Sequence, residues 1–330
     1  VDLMPRHSEL AKIERTGLQV TKLSLGTAPL GGLFTSVPEA DSDGVIAAAF
    51  DADINFFDTA PLYGSGRSEV RLGRGLNAAK RPYVLSTKVG RVLNPVTGIS
   101  DAGGLAGFAD ADTSVEPVFD YSRAGVRRSF EESLKRLNVD RIDVALIHDA
   151  DDRIEEAIKY AYPALEEMRS EGMVSTIGVG MNYCPPTIKA VVETDIDIVL
   201  IAGRYSLLDQ SSQDQLFKET MKRKVSVMIG GVYNSGILAN PVAGATYFYA
   251  PASDEVIAKA QKIRDLLATF NVSLTAAAIQ FPLRHPAVTT VLTGSRSPKE
   301  LLANIADFDS EVPAEAWAAL ESAGLIPPID

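Results

Sequence analysis

Eight short apolar runs recur along this chain, each followed by a longer amphipathic segment, and this rhythm restricts its folding more than any other feature. The runs lie at 20–26, 54–57 (ending at Asp58), 83–88, 142–148, 175–180, 197–202, 225–230 and 289–294. Helical periodicity fills 42–52, 68–78, 121–137, 153–170, 185–193 and 213–222, and resumes near Pro298, with Ser122 placed to cap the third helix. Strands alternating with helices predict parallel βαβ units. They spread evenly over 330 residues with no Pro/Gly/Ser-rich linker, which predicts one domain, 1–330, folded as a (β/α)8 barrel. A doubly wound sheet would be expected to carry Gly-x-Gly-x-x-Gly after its first strand, and that fingerprint is missing. Gly64-Ser65-Gly66 follows the second strand, lacks a third glycine and reads as a turn.

Two connections break the rhythm. Residues 90–120 hold several glycines and few regular periods, and 233–253 are rich in Tyr, Ala and Gly. Both follow strands, which predicts two long loops at the C-terminal face of the barrel, where barrel active sites lie.

Composition removes several classes of function. A net charge of −11 repels phosphate backbones and anionic membrane surfaces. No apolar run reaches the roughly 18 residues of a membrane span. The first residues lack a signal-peptide pattern, so Asn271-Val272-Ser273 reads as a chance sequon. The single cysteine, Cys184, has no internal disulfide partner and reads as a small packing side chain, which points to the cytoplasm. No metal is expected, and the oligomeric state is left open.

Residues just past different barrel strands converge on one mouth. Asp58, Lys88 and His148 end the second, third and fourth runs, and Tyr63 lies in the loop after Asp58. An acid, a phenol, an amine and an imidazole suit proton transfer at a carbon–oxygen centre. A free tyrosine ionises near pH ~10, too high for easy exchange at neutrality. The Lys88 ammonium, paired with Asp58, is expected to lower that value. His148 would orient the substrate oxygen, and Tyr63 would exchange its proton. Singly, each has an ordinary alternative: Asp58 as a turn cap, Lys88 as a solvated charge, Tyr63 and His148 as packing residues. His7 and His285 read as bystanders.

With these residues placed, the chain resembles the aldo-keto reductase superfamily from about Arg15 to Asn304. The resemblance is carried by Asn55-Phe56-Phe57-Asp58-Thr59-Ala60-Pro61-Leu62-Tyr63-Gly64, by Ser86-Thr87-Lys88 and by Leu146-Ile147-His148-Asp149. It implies the barrel, a catalytic set of Asp58, Tyr63, Lys88 and His148, and a nicotinamide cofactor. Met181 and Asn182 stand where the family holds the carboxamide with Ser-Asn, and Tyr205 matches a family tyrosine near that site. Gly231, Gly236 and Leu238 belong to the seventh loop. Gly294, Ser295, Arg296, Glu300 and Asn304 belong to the C-terminal cofactor segment.

Two departures bear on the cofactor. Ala202 stands where many members carry a glutamine. Gly294 and Glu300 stand where NADP-preferring members place a cation. An acidic residue repels a 2′-phosphate and accepts from a free ribose hydroxyl, so the expected cofactor is NAD. Within the family the chain is most similar to a bacterial branch of NAD-dependent dehydrogenases. The resemblance implies oxidation of a cyclic hemiacetal (lactol) to a lactone, with pyridoxal or an aldose such as L-fucose as substrate. An NADPH carbonyl reductase and a slow-turnover nicotinamide-binding regulatory module are the alternatives.

Overall fold

The structure, a computed structural model, describes residues 6–96 and 107–329. Its centre is a closed barrel of eight parallel strands: β1 (Leu23–Gly26), β2 (Phe56–Asp58), β3 (Val84–Val89), β4 (Val144–His148), β5 (Thr176–Met181), β6 (Ile198–Ala202), β7 (Ser226–Gly230) and β8 (Val288–Gly294). Each strand pairs with its neighbours in chain order, and β8 closes on β1 through Val291–Leu23 to Gly294–Gly26. Every apolar run read from the sequence supplies one strand. The first run is split at Lys22. Its front part, Gln19–Thr21, pairs antiparallel with Leu10–Lys12, and only Leu23–Gly26 enters the barrel.

The strands alternate between two apolar layers. Phe56, Val84, Val144, Leu146, Ile198, Leu200, Met228 and Leu292 share one buried cluster, joined by Ile13 and Val20 from the N-terminal hairpin. Their in-strand neighbours, such as Phe57, Leu85, Ala145 and Val199, join a second cluster with the helices. A strand's period of two makes this division, so the barrel is filled by side chains and is not a pore.

The outer layer comprises α1 (Glu39–Asp51), α2 (Arg67–Ala79), α3 (Arg123–Leu137), α4 (154–170), α5 (Cys184–Glu193), α6 (Leu216–Arg223), α7 (Asp254–Ala268), α8 (Leu274–Gln280), α9 (Pro298–Asp309) and α10 (Ala314–Ser322). Ser122 caps α3 by accepting from Gly125 N–H at 3.0 Å. A π-helical turn, Ala157–Ala161, interrupts α4. No described helix is long and apolar enough to cross a membrane.

Both long connections contain short strands that carry no long apolar run. Arg91–Pro95 pairs antiparallel with Val115–Phe119, in register from Arg91–Phe119 to Pro95–Val115; residues 97–106 between them lie outside the described residues. In the second connection, Thr246–Tyr247 pairs with Ala250–Pro251. Phe248 and Tyr249 form that hairpin's tip with φ of 48° and 62°, a conformation bulky residues seldom adopt.

Candidate active site

Strand register brings the first two site residues together. Asp58 lies opposite Ser86 across β2 and β3. Ser86 and Lys88 then point to the same side of β3, and both reach Asp58: Ser86 Oγ donates to Oδ1 at 2.8 Å and Lys88 Nζ donates to Oδ2 at 2.6 Å. The intervening Thr87 points the other way and donates to Glu69 on α2 at 2.8 Å. Lys88 spends a second proton on the Thr59 carbonyl at 2.9 Å. Its Nζ lies 4.8 Å from the centre of the Tyr63 ring.

Tyr63 is held by its backbone. A turn runs from Ala60 to Arg67, with Tyr63 N–H donating to the Ala60 carbonyl at 3.1 Å. Gly64 has φ of 62°. A Cβ on Gly31 would stand 2.7 Å from both Gly64 N and Tyr63 C. Only glycines permit this approach of the first loop to the second. The Gly64-Ser65-Gly66 segment is a turn, with Gly66 preceding α2 at φ of 91°.

His148 ends β4 opposite Gly180 of β5. Its carbonyl accepts from Tyr121 Oη at 2.6 Å. Its ring meets the Tyr63 ring edge-on, with centroids 5.9 Å apart. Asp58, Lys88 and His148 are buried, and Tyr63 is partly exposed. Tyr63 is therefore the member of the set with the most exposed surface.

Burial dominates the acid–base properties. It pushes the Tyr63 phenol up to about 12, against the opposing pull of the Lys88 ammonium, with the Asp58 and Asp149 carboxylates adding to the rise. The expected net lowering by Lys88 is thus corrected: the lysine acts in that direction, but desolvation outweighs it. Burial alone would lower Lys88, yet Asp58 and Tyr63 more than offset it and hold the ammonium above its ordinary value. Burial depresses His148 to about 3, so its imidazole is neutral at physiological pH.

The same face carries groups suited to a nicotinamide dinucleotide. Gly180, Gly230 and Gly231 present no side chains there. A Cβ on Gly180 would lie 3.4 Å from Lys88 Cε, and one on Gly230 would meet Leu200 Cδ1 at 3.3 Å. Asn182 stands at the end of β5. Tyr233 Oη donates to Asn304 Oδ1 at 3.0 Å, and Asn304 Nδ2 donates to Ser295 Oγ at 3.2 Å, linking the loops after β7 and β8. Gly236 is open, with nothing within 4 Å of an added Cβ.

Three sequence-predicted cofactor residues do not face this mouth. Met181 is 2 % exposed and packs with Ile177 and Val179 in the outer apolar layer. β5 alternation explains this: Gly178 and Gly180 take the inward positions. Tyr205 is fully buried, with its ring against Phe217, Phe281 and His285. Leu238 is fully buried and its N–H donates to the Tyr233 carbonyl, so it shapes the loop from within. Asn182, Gly231, Gly236, Ser295 and Arg296 lie in the loops after β5, β7 and β8, Gly294 ends β8, and Glu300 and Asn304 lie on α9. Arg296 and Glu300 are partners: Arg296 N–H donates to Glu300 Oε2 at 2.7 Å and Nη2 to Oε1 at 3.2 Å.

Sequence reasoning passed over Asp149, Asp151 and Arg91. Asp149 stands beside His148 in one of the quoted stretches, but its side chain is turned by a left-handed backbone, φ 47°, that strand periodicity does not reveal. His7, His285 and Cys184 sit where a structural reading puts them. His7 binds Asp309 and the Ala52 carbonyl, His285 packs on Phe217, and Cys184 is buried.

A profile described as the aldo/keto reductase family matches residues 22–324. The chain is 41% identical to pyridoxal 4-dehydrogenase of Microbacterium luteolum, over 97% of this chain and 98% of that protein. It is 36% identical to D-threo-aldose 1-dehydrogenase of a Pseudomonas species, over 94% and 96% of the two chains. Among solved structures, the holo form of an aldo-keto reductase from Bacillus halodurans superposes with a TM-score of 0.76 at 24% identity, covering 95% of each chain.

Proposed function

Since the chain belongs to the aldo/keto reductase family and is an oxidoreductase acting on CH–OH groups with a nicotinamide cofactor, we propose that it uses NAD+ to oxidise a lactol to a lactone, with pyridoxal as the substrate. The observation that carries this reading is the Asp58–Lys88–Tyr63–His148 cluster, with the partly exposed Tyr63 against a buried ion pair. The relative named pyridoxal 4-dehydrogenase supports the substrate. So does the aromatic surround: Phe108 lies 5.9 Å from the Tyr63 ring, and the exposed Phe34 and Tyr249 lie 6.0 Å apart. Aromatic rings suit the faces of a pyridine. An aldose is the second reading, favoured by the D-threo-aldose 1-dehydrogenase relative.

Asn182, Ser295, Asn304 and the Gly231–Gly236 segment would hold the dinucleotide. When bound, NAD+ supplies the hydride acceptor and a positive charge. Tyr63 takes the hydroxyl proton of the lactol as the carbon loses hydride, and Lys88 stabilises the tyrosinate that accepts it. Neutral His148 donates a hydrogen bond to the substrate oxygen and fixes the carbon. The balance is lactol plus NAD+ giving lactone, NADH and one proton.

The Arg296–Glu300 pair supports a preference for NAD. Glu300 engages the Arg296 guanidinium, which would otherwise be available to a 2′-phosphate, and adds negative charge of its own. Glu300→Gln is expected to tighten NADP+ binding about three- to ten-fold while leaving NAD+ affinity within twofold. Titration of both cofactors into both proteins by tryptophan fluorescence measures this; unchanged NADP+ affinity contradicts the assignment.

The whole reading is tested by following NADH absorbance with pyridoxal, L-fucose and D-arabinose, each with NAD+ and NADP+. Fastest turnover with pyridoxal and NAD+ is expected. Turnover confined to sugars selects the second reading, and no turnover with any lactol rejects both.

A further inference from the structure

Asp149 is not one of the four reacting residues, yet its carboxylate reaches Asn182, Arg91 and His148. Oδ1 accepts from Asn182 Nδ2 at 2.9 Å, Oδ2 accepts from Arg91 Nη2 at 3.0 Å, and Oδ2 lies 3.5 Å from His148 Nε2. Its N–H donates to the Gly180 carbonyl at 2.9 Å, which continues the β4–β5 ladder one residue past His148. The left-handed φ then turns the carboxylate back beside the imidazole, a conformation that Asp and Asn tolerate better than other side chains. Arg91 is itself fixed, with its guanidinium 3.9 Å from the centre of the Phe119 ring.

We infer that Asp149 is a positioning residue that sets two groups at once, the Nε2–H tautomer of His148 and the amide orientation of Asn182. The inference rests on the reading of Tyr63 and His148 as the reacting face. For the histidine, Nδ1 is buried with no partner among the described residues. A proton there would be a buried donor left without a partner, which native structures tolerate less often than an idle acceptor. A proton on Nε2 instead faces a carboxylate. At 3.5 Å the two atoms make no hydrogen bond, so a proton on Nε2 is stabilised by the neighbouring negative charge without being consumed, and a substrate oxygen can take it.

For the asparagine, Nδ2 also donates to Asp151 Oδ2 at 3.2 Å, and the backbone N–H groups of Asn182 and Tyr183 donate to Asp151 Oδ1 at 3.0 and 2.8 Å. A flipped amide would set its oxygen against two carboxylates. The nitrogen is thereby committed to Asp149 and Asp151, and Oδ1 is the atom left to accept from a carboxamide N–H. One carboxylate thus aligns the substrate-oxygen donor with the cofactor-amide acceptor.

Asp149→Asn tests this, because asparagine keeps both the shape and the left-handed backbone. The charged groups acting on His148 are Asp149, Lys88 and Arg91, and those on Tyr63 are Lys88, Asp58 and Asp149. With three histidines in the chain, 15N-histidine spectra read the tautomer of the cofactor-free protein. The wild type is expected to show a neutral, Nε2-protonated His148, and the variant a mixture of tautomers. NAD+ affinity, read by fluorescence, should fall several-fold. The kcat for oxidation should fall roughly ten- to hundred-fold, and its alkaline rise should begin at lower pH because a negative neighbour of Tyr63 is gone. A variant with unchanged tautomer, NAD+ affinity and pH profile overturns the inference. Should Asp149→Asn not fold, Arg91→Gln decides: the retained carboxylate must still hold the Nε2 tautomer, and its loss there overturns the inference. If the wild type turns over no lactol, the proposed function fails, while the spectra and cofactor affinities still judge Asp149.

Discussion

Tyr63 sits under two opposed influences whose balance sets the pH behaviour of the site. Burial raises its phenol to about 12, and the Lys88 ammonium opposes that rise. A proton acceptor must be ionised, so below that value the reactive fraction grows about tenfold per pH unit. Lactol oxidation is therefore expected to rise steadily from pH 7 into the alkaline range, with no acid limb from His148 above about pH 3. Steady-state kcat between pH 6 and 10 measures this, and a flat profile with chemistry rate-limiting contradicts it. The convergence of the four residues was legible in the sequence because Asp58, Lys88 and His148 lie at strand ends and Tyr63 in the loop after Asp58. The net shift of Tyr63 was not, since it depends on how densely the folded chain surrounds one hydroxyl. Asp149 escaped notice for a related reason: a single left-handed residue redirects a side chain without altering the apolar pattern.

The elements hold Lys88 in place through an alternation the sequence does carry. In Ser86-Thr87-Lys88 the outer residues face Asp58 and the middle one faces Glu69 on α2. Glu69 is fully buried and also accepts from Arg136 Nε of α3 at 2.6 Å, so β3, α2 and α3 meet at one carboxylate. Removing one partner of a buried pair strands the other. Glu69→Gln is expected to cost about 3 kcal/mol in chemical denaturation, toward the low end for such pairs because Arg136 keeps some contact with water. A change below about 0.5 kcal/mol, the size of an ordinary surface substitution, would show the pair to be dispensable. Strand positions were readable from apolar runs; this pair was not, because Glu69 lies in a helix with no partner at helical spacing. The hairpins inside 90–120 and 233–253 were hidden for the opposite reason, as their half-exposed strands lack the apolar run that marks a barrel strand.

Across the whole molecule, eight evenly spaced βα units make one closed barrel, and closure gathers residues 58, 63, 88, 148 and 182 at one end although the sequence spreads them over more than a hundred positions. That convergence is the physical content of the sequence motifs. The aromatic rings of the loops are a different matter: Phe108 beside Tyr63 and the Phe34–Tyr249 pair come from three separate connections, and no local pattern foretold these contacts. The central claim is that this convergence makes Tyr63 the proton acceptor in NAD+-dependent lactol oxidation. It is tested most directly by the turnover of Tyr63→Phe with NAD+ and pyridoxal, measured beside its NAD+ affinity. Removal of the phenolic hydroxyl alone is expected to lower kcat by about 10² to 10⁴ with NAD+ binding unchanged within twofold; a variant that turns over pyridoxal at the wild-type rate would contradict the account.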